Sequence, residues 1–218
     1  MFVAIEYPII AIDPDISCFD QQRPIIAELG KIAEGIAGAE NFELWVENAI
    51  RTVFAGHLDN VERKPNGGST QRRDIVATNL CRTNSFKRIY SDYKSRQIIF
   101  EVKNFKDIGR DEHRQMLSYM HDSYGNLGFI VTRDDDENLR AGRELDWVRE
   151  IYNGHKKLIV RLTAKYFQRL LGKLRNPEKH DTVDKSLNSL LDKYERNYLN
   201  MSSSRVSKAQ RRRPQNRS

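Results

Sequence analysis

The stretch Gln97-Ile-Ile-Phe-Glu-Val-Lys-Asn104 decides how the chain is read. Ile98, Ile99, Phe100 and Val102 give it the apolar, β-type content of a short buried strand. Glu101 and Lys103 interrupt that run, one residue apart from each other across Val102. Side chains alternate faces along a strand, so the two charges project the same way. A carboxylate and an ammonium on an otherwise apolar strand are costly unless they are paired, solvated or bound to an ion. The segment therefore belongs either to a metal-dependent active site or to a cross-strand ion pair.

Upstream, Arg72 to Asn79 reads as a second strand with Asp74 near its start, and His57 to Arg63 as another, separated by the turn Lys64-Pro-Asn-Gly-Gly-Ser69. Before them, Asn41 is placed to cap a helix that runs to about Ala55, with Gly56 as its terminator. Phe42, Trp45, Val46, Ala49, Ile50, Val53 and Phe54 form its apolar face. Glu43 and Glu47 lie one turn apart on another face and can approach the same point. Residues 80–95 read as a connection carrying Arg82, Lys87, Arg88 and Lys94 beside Phe86, Tyr90 and Tyr93.

Downstream, Asp111 to Asp122 reads as a helix with Gln115 and Tyr119 one turn apart, and Leu127 to Thr132 as a buried strand. The acidic run Asp134-Asp-Asp-Glu137 is expected to complement the dipole of a following helix, marked by Leu139, Leu145, Val148 and Ile151, rather than to bind metal. Gly154 ends that helix, Lys157 to Leu162 is a last strand, and Thr163 caps a helix through about Leu174. Val183, Leu187, Leu190, Tyr194 and Tyr198 mark a final amphipathic helix, a candidate partner or dimer surface unless it packs on the core. The order of elements specifies an α/β fold with a mixed central β-sheet flanked by helices.

The ends differ from this body. Residues 1–40 form an N-terminal extension, with short extended segments broken by Pro8 and a helix from about Asp20 to Ala37 built on Ile25, Leu29, Ile32 and Ile36. The α/β domain spans 41–175, a C-terminal helix 176–200, and a basic tail 201–218. The formal net charge is +7, from 37 basic and 30 acidic residues. Six of the basic residues fall in the tail with no acid, so the body is nearly neutral and the tail is expected to be disordered, free to touch phosphates. No apolar run approaches the roughly 20 residues needed to span a bilayer, and no signal peptide is expected. Cys18 and Cys81 have no framework or CxxC spacing and read as free thiols of a cytoplasmic protein.

Asp74 followed by Glu101-Val-Lys103 resembles the PD-(D/E)XK nuclease pattern of restriction endonucleases, junction resolvases and recombination nucleases. The order of elements over 41–133 is similar to the family's helix, three strands, helix and strand. Phe42-Glu43 resembles the first-helix glutamate of Mrr-like restriction enzymes, Arg72-Arg-Asp-Ile-Val the aspartate strand, and Gln115 with Tyr119 the Gln-x-x-x-Tyr of recombination nucleases. Arg73 stands at the pattern's nominal proline position. The resemblance implies a restriction-endonuclease-like core and a Mg²⁺-dependent DNA endonuclease, with Mn²⁺ as a substitute metal, working in restriction, phage defence or repair.

Asp74, Glu101, the Val102 carbonyl and Glu43 would hold the metal. Lys103 would position the attacking water or stabilise developing charge, and Gln115 would orient the phosphate or the lysine. This agrees with what phosphodiester hydrolysis needs: an activated water and relief of negative charge at a site offering one or two carboxylates. Arg72, Arg73, Lys87, Arg88 and Tyr119 are candidates for nucleic-acid contact, since Lys and Arg meet phosphates without reading sequence. The competing reading of the charges is a set of ion pairs, Asp74 with Lys103 and Glu101 with Arg72 or Arg73. DNA is the expected partner. A homodimer would account for double-strand cutting, and the lack of a P-loop assigns any motor, like any specificity subunit, to another protein. The alternatives are an inactive nuclease-fold binding or assembly subunit and an RNA-directed nuclease.

Overall fold

A computed structural model describes residues 17–65, 73–121, 124–176 and 179–200. The extended segments expected before residue 17 and the basic tail lie outside them. Five strands form one sheet in sequential order: β1 (Leu58–Arg63), β2 (Ile75–Asn79), β3 (Gln97–Lys103), β4 (Leu127–Thr132) and β5 (Leu158–Thr163). β1, β2 and β3 pair antiparallel, and β3, β4 and β5 pair parallel. Parallel neighbours need a crossover. Helices α4 (Arg110–Tyr119) and α5 (Glu144–His155) supply the two that are required here. The α/β class with a mixed, helix-flanked sheet is thus the fold observed.

Strand periodicity divides the core between the two faces. Ile98 and Phe100 face one apolar cluster, shared with Phe42, Trp45 and Val46 of α2 (Ala39–Val53) and with Phe167 of α6 (Ala164–Leu174). Ile99 faces the other, with Ile130, Ile159, Met116 and Met120. Helix α4 lies close on that second face: a Cβ at Gly128 would come within 2.5 Å of the Met116 sulfur. Every residue of β4 and β5 is buried, as expected of parallel strands covered on both faces. Thr163 caps α6 as its position predicts, its hydroxyl accepting the Tyr166 N–H at 3.0 Å.

Four expectations are corrected. Residues 84–93 are a helix, α3 (Asn84–Tyr93), and not an irregular connection; Phe86, Ile89 and Tyr93 make a buried stripe at helical spacing, and Lys94 ends it in the left-handed region at φ 57°. The first helix, α1 (Ser17–Leu29), stops well before Ala37, and Ile36 is 86% exposed. Gly35 turns the chain there at φ 82°, and a hydrogen bond from its N–H to the Asn104 carbonyl (2.9 Å) fixes the turn to the end of β3. Asn41 is inside α2 and not its cap, which is Gly38.

Finally, the acidic run does not open α5, which begins only at Glu144. Asp134 instead bridges Arg140 (2.7 Å) and Arg161 (3.2 Å), and Arg161, itself buried on β5, pairs with buried Glu144 at 2.8 Å.

The C-terminal segment packs on the core. Helix α7 (Thr182–Asp192) and the π-helical turn Lys193–Tyr198 bury Val183, Leu187, Leu191 and Tyr194. Arg88 of α3 pairs with Asp192 at 2.8 Å and Glu195 at 2.9 Å. The Tyr93 hydroxyl donates to Glu195 at 2.7 Å. At the free edge of β5, the Arg161 N–H donates to the Tyr194 hydroxyl at 2.8 Å, which covers part of a strand edge that would otherwise be a template for pairing. Among the described residues no helix is long and apolar enough to cross a membrane.

Candidate active site

Strand pairing brings the motif residues to one end of the sheet. β2 and β3 pair through Ile75↔Phe100, and extending that register by one residue sets Asp74 across from Glu101. The Val102 N–H donates to Asp74 Oδ2 at 2.8 Å, so the aspartate is tied to the backbone of β3. Glu101 and Lys103 share the face of Ile99, which looks toward α4. Lys103 Nζ is 2.8 Å from Glu101 Oε1 and donates to Gln115 Oε1 at 3.1 Å. Gln115 Nε2 in turn donates to the Tyr119 hydroxyl at 2.7 Å. Glu101 thus pairs directly with Lys103 of its own strand.

Glu43 approaches from α2 and is nearly buried. It faces Lys64 at 3.3 Å and Arg63 at 3.9 Å. Glu47, one turn on, is turned to Arg51 (2.9 Å) and Arg63 (3.4 Å). In the sequence Arg63 and Lys64 read only as a strand end and a turn, and the structure makes them the cations that face Glu43. Their signal was available in hindsight: a basic pair ending the strand that precedes the aspartate.

The electrostatics of this corner are those of crowded carboxylates. Glu101 is 1% exposed. Burial first, then the charge of Asp74, push its carboxyl up to about 7, although Lys103 pulls the other way. Glu43 is raised by the same two causes, burial and Asp74, against Lys64 and Arg63. Burial works against the charge of Lys103, but Glu101 beside it outweighs that and holds the ammonium above its ordinary value. One oxygen of each glutamate, Glu101 Oε2 and Glu43 Oε1, is buried without a hydrogen-bond partner. A buried carboxylate oxygen without a hydrogen bond is costly, and a proton or a divalent cation would satisfy it. Among the described residues no group of three or more His, Cys, Asp or Glu side chains is spaced to hold a metal ion on its own. Asp74 and Glu101, with backbone oxygen and water, would offer a cation the hard oxygen donors that Mg²⁺ takes, and Glu43 stands beside them on α2.

The remaining candidates lie elsewhere. Arg73 is 4% exposed, its guanidinium over the rings of Tyr124 (4.3 Å) and Tyr119 (5.5 Å) and its Nη2 3.2 Å from His121 Nε2. It is packed inside the protein and does not present itself to a phosphate. Arg88 is committed to Asp192 and Glu195, on the α3–α7 contact. Lys87 is exposed on α3. Tyr119 is buried and meets the site through Gln115. Arg72 lies outside the described residues.

No family model matches the chain, and no solved structure matches it. The chain is similar to the "Putative transposon gamma-delta 80.3 kDa protein" of Escherichia coli (strain K12), with 47% identity over 175 residues, 80% of this chain. The chain spans only 25% of the length of that relative.

Proposed function

We propose that this chain is a metal-dependent endonuclease of the PD-(D/E)XK type that hydrolyses phosphodiester bonds in DNA. One observation carries the reading: Asp74 and Glu101 meet at the same end of two paired strands, with Lys103 on the face of Glu101 and one Glu101 carboxylate oxygen buried without a hydrogen-bond partner. Asp74, Glu101, the Val102 carbonyl and, from α2, Glu43 would hold Mg²⁺ or Mn²⁺. When bound, the ion supplies Lewis-acid relief of the phosphate's charge and a more acidic water.

The chain's own residues do the rest. Glu101 Oε1 and Gln115 Oε1 hold the Lys103 ammonium at 2.8 and 3.1 Å, pointing it at the corner where Asp74 and Glu101 meet. From there it orients the attacking water and stabilises charge on the oxyanion. Burial, and after it the charge of Asp74, raise the protonation point of Glu101 toward neutrality, so proton and metal would compete for the same carboxylate. DNA is taken as the substrate over RNA on the resemblance of Asp74 and Glu101-Val-Lys103 to the pattern of DNA-cutting nucleases.

A second reading is a nuclease-fold subunit that binds nucleic acid without cutting it, with Lys103 held by Glu101 as an ion pair. One experiment separates them: incubation of the protein with plasmid, single-stranded DNA and RNA, each with Mg²⁺, Mn²⁺ or EDTA. Metal-dependent cutting of DNA supports the endonuclease. Cutting of RNA alone reassigns the substrate, and binding without metal-dependent cutting of any substrate supports the second reading.

A further inference from the structure

We propose that Arg73 is a positioning residue for Lys103, acting through Tyr119 and Gln115; the inference rests on the reading of this corner as catalytic. A continuous set of contacts connects them. The Arg73 guanidinium stacks on Tyr124 at 4.3 Å and reaches the Tyr119 ring at 5.5 Å, both within the range of cation–π attraction. Its Nη2 lies 3.2 Å from His121 Nε2, which fixes its plane and requires a lone pair on that ring nitrogen. Tyr119 is the last residue of α4 and is buried. Arg73 is one residue before Asp74, so the same segment of chain places the aspartate and clamps the end of the helix opposite.

What Tyr119 does for Gln115 follows from the chemistry of an amide. Gln115 has one carbonyl oxygen and one NH₂ group and can point either toward Lys103. The Tyr119 hydroxyl accepts from Nε2 at 2.7 Å, which leaves Oε1 facing the lysine at 3.1 Å. The opposite orientation would set an NH₂ against an ammonium. A Tyr119 ring free to move would release Nε2, and with it the hold that keeps the Gln115 side chain beside the lysine, so that Lys103 would depend more on Glu101. Arg73 is therefore a device for holding the acceptor on Gln115 toward the lysine, and its burial explains why it is not spent on a phosphate. A planar, always-charged guanidinium between two rings suits that task better than the flexible point charge of a lysine.

The test uses the full chain with Arg73→Met, Tyr119→Phe, Gln115→Ala and the double variant Arg73→Met/Gln115→Ala. Two readouts are taken. The first is the rate of metal-dependent plasmid cutting at saturating DNA, with KM followed separately. Arg73→Met is expected to lower kcat about tenfold, the scale of losses behind a ligand shell, with KM unchanged. The double variant should be no slower than Gln115→Ala, because both changes break one relay. The second readout needs no cleavage: the Lys103 side-chain ¹³Cε resonance, assigned with Lys103→Arg, should move toward those of exposed lysines in Arg73→Met and in Tyr119→Phe.

An unshifted Lys103 resonance overturns the proposal, as does a double-variant loss equal to the product of the two single losses. If the wild-type chain cuts nothing, the nuclease reading fails, and the resonance still decides whether Arg73 positions Lys103. Should Arg73→Met not fold, Tyr124→Leu removes the stacking ring and is held to the same two readouts.

Discussion

Replacing Glu101 by glutamine should make the protein more stable while it abolishes cleavage. Glu101 is 1% exposed and its carboxyl is raised from 4.5 to about 7 by burial and by Asp74. The native state therefore holds a proton that the unfolded chain releases at lower pH. Stability is full below 4.5, where both states are protonated, falls as pH rises between 4.5 and 7, and stays reduced above. At about 1.4 kcal/mol per pH unit, the gap of 4.5 to about 7 corresponds to an upper bound of roughly 3–4 kcal/mol at pH 8. Glutamine keeps the shape without the charge but deprives Lys103 of its partner at 2.8 Å. The net gain is then about 1–2 kcal/mol, or roughly 2–8 °C in Tm for a chain of this size.

The assay is thermal unfolding without added metal at pH 8 and at pH 5. Glu101→Gln should melt above the wild type at pH 8, and the gap should narrow at pH 5, where the native wild-type carboxyl is neutral. A variant that melts lower at pH 8, or a difference independent of pH, would refute the reasoning that Glu101 is a crowded, destabilising carboxylate kept for function.

Further outcomes follow from the same geometry. Glu43→Gln should slow cleavage about 10- to 100-fold and Glu47→Gln much less, since Glu47 is engaged by Arg51 and Arg63; a larger loss at Glu47, read by plasmid nicking, would reverse the assignment. Mg²⁺ affinity measured by calorimetry should rise with pH through about 7 as the ion displaces the Glu101 proton, and this dependence should flatten in Glu101→Gln. Arg161→Leu should cost about 3–5 kcal/mol in urea unfolding, because it leaves Glu144 and Asp134 buried without their shared partner; a cost below about 1 kcal/mol would mean that the loop over 134–140 relaxes to solvate them.

The parts of the fold that were legible in the sequence are those fixed by local pattern. β4 spans Leu127–Thr132 as expected, Thr163 caps α6, and alternation along β3 puts Glu101 and Lys103 on one face. What escaped depends on distant partners. The basic residues of 82–94 hid the stripe Phe86, Ile89, Tyr93, whose helix is secured by α7 about a hundred residues away through Ser85–Asp184 and Arg88–Asp192. Arg73 reads as a surface cation until Tyr119, Tyr124 and His121 close over it. The acidic run reads as a dipole cap because the ligand of Asp134, Arg161, sits on another strand. Ile36 keeps helical spacing with Leu29 and Ile32, yet Gly35 redirects it to solvent. In the candidate site, the carboxylate pair, Lys103 and Gln115 were legible from spacing and resemblance together, whereas the cations facing Glu43 were visible only once β1 was laid beside α2.

The most direct test of the account is cleavage of supercoiled plasmid by the wild type, Asp74→Ala and Lys103→Ala, each shown by circular dichroism to be folded, in Mg²⁺ and in EDTA. The account predicts nicked or linear product from the wild type in Mg²⁺ only, and none from either variant. Equal cutting by all three proteins, or a folded wild type that cuts no DNA with any divalent metal, would contradict it.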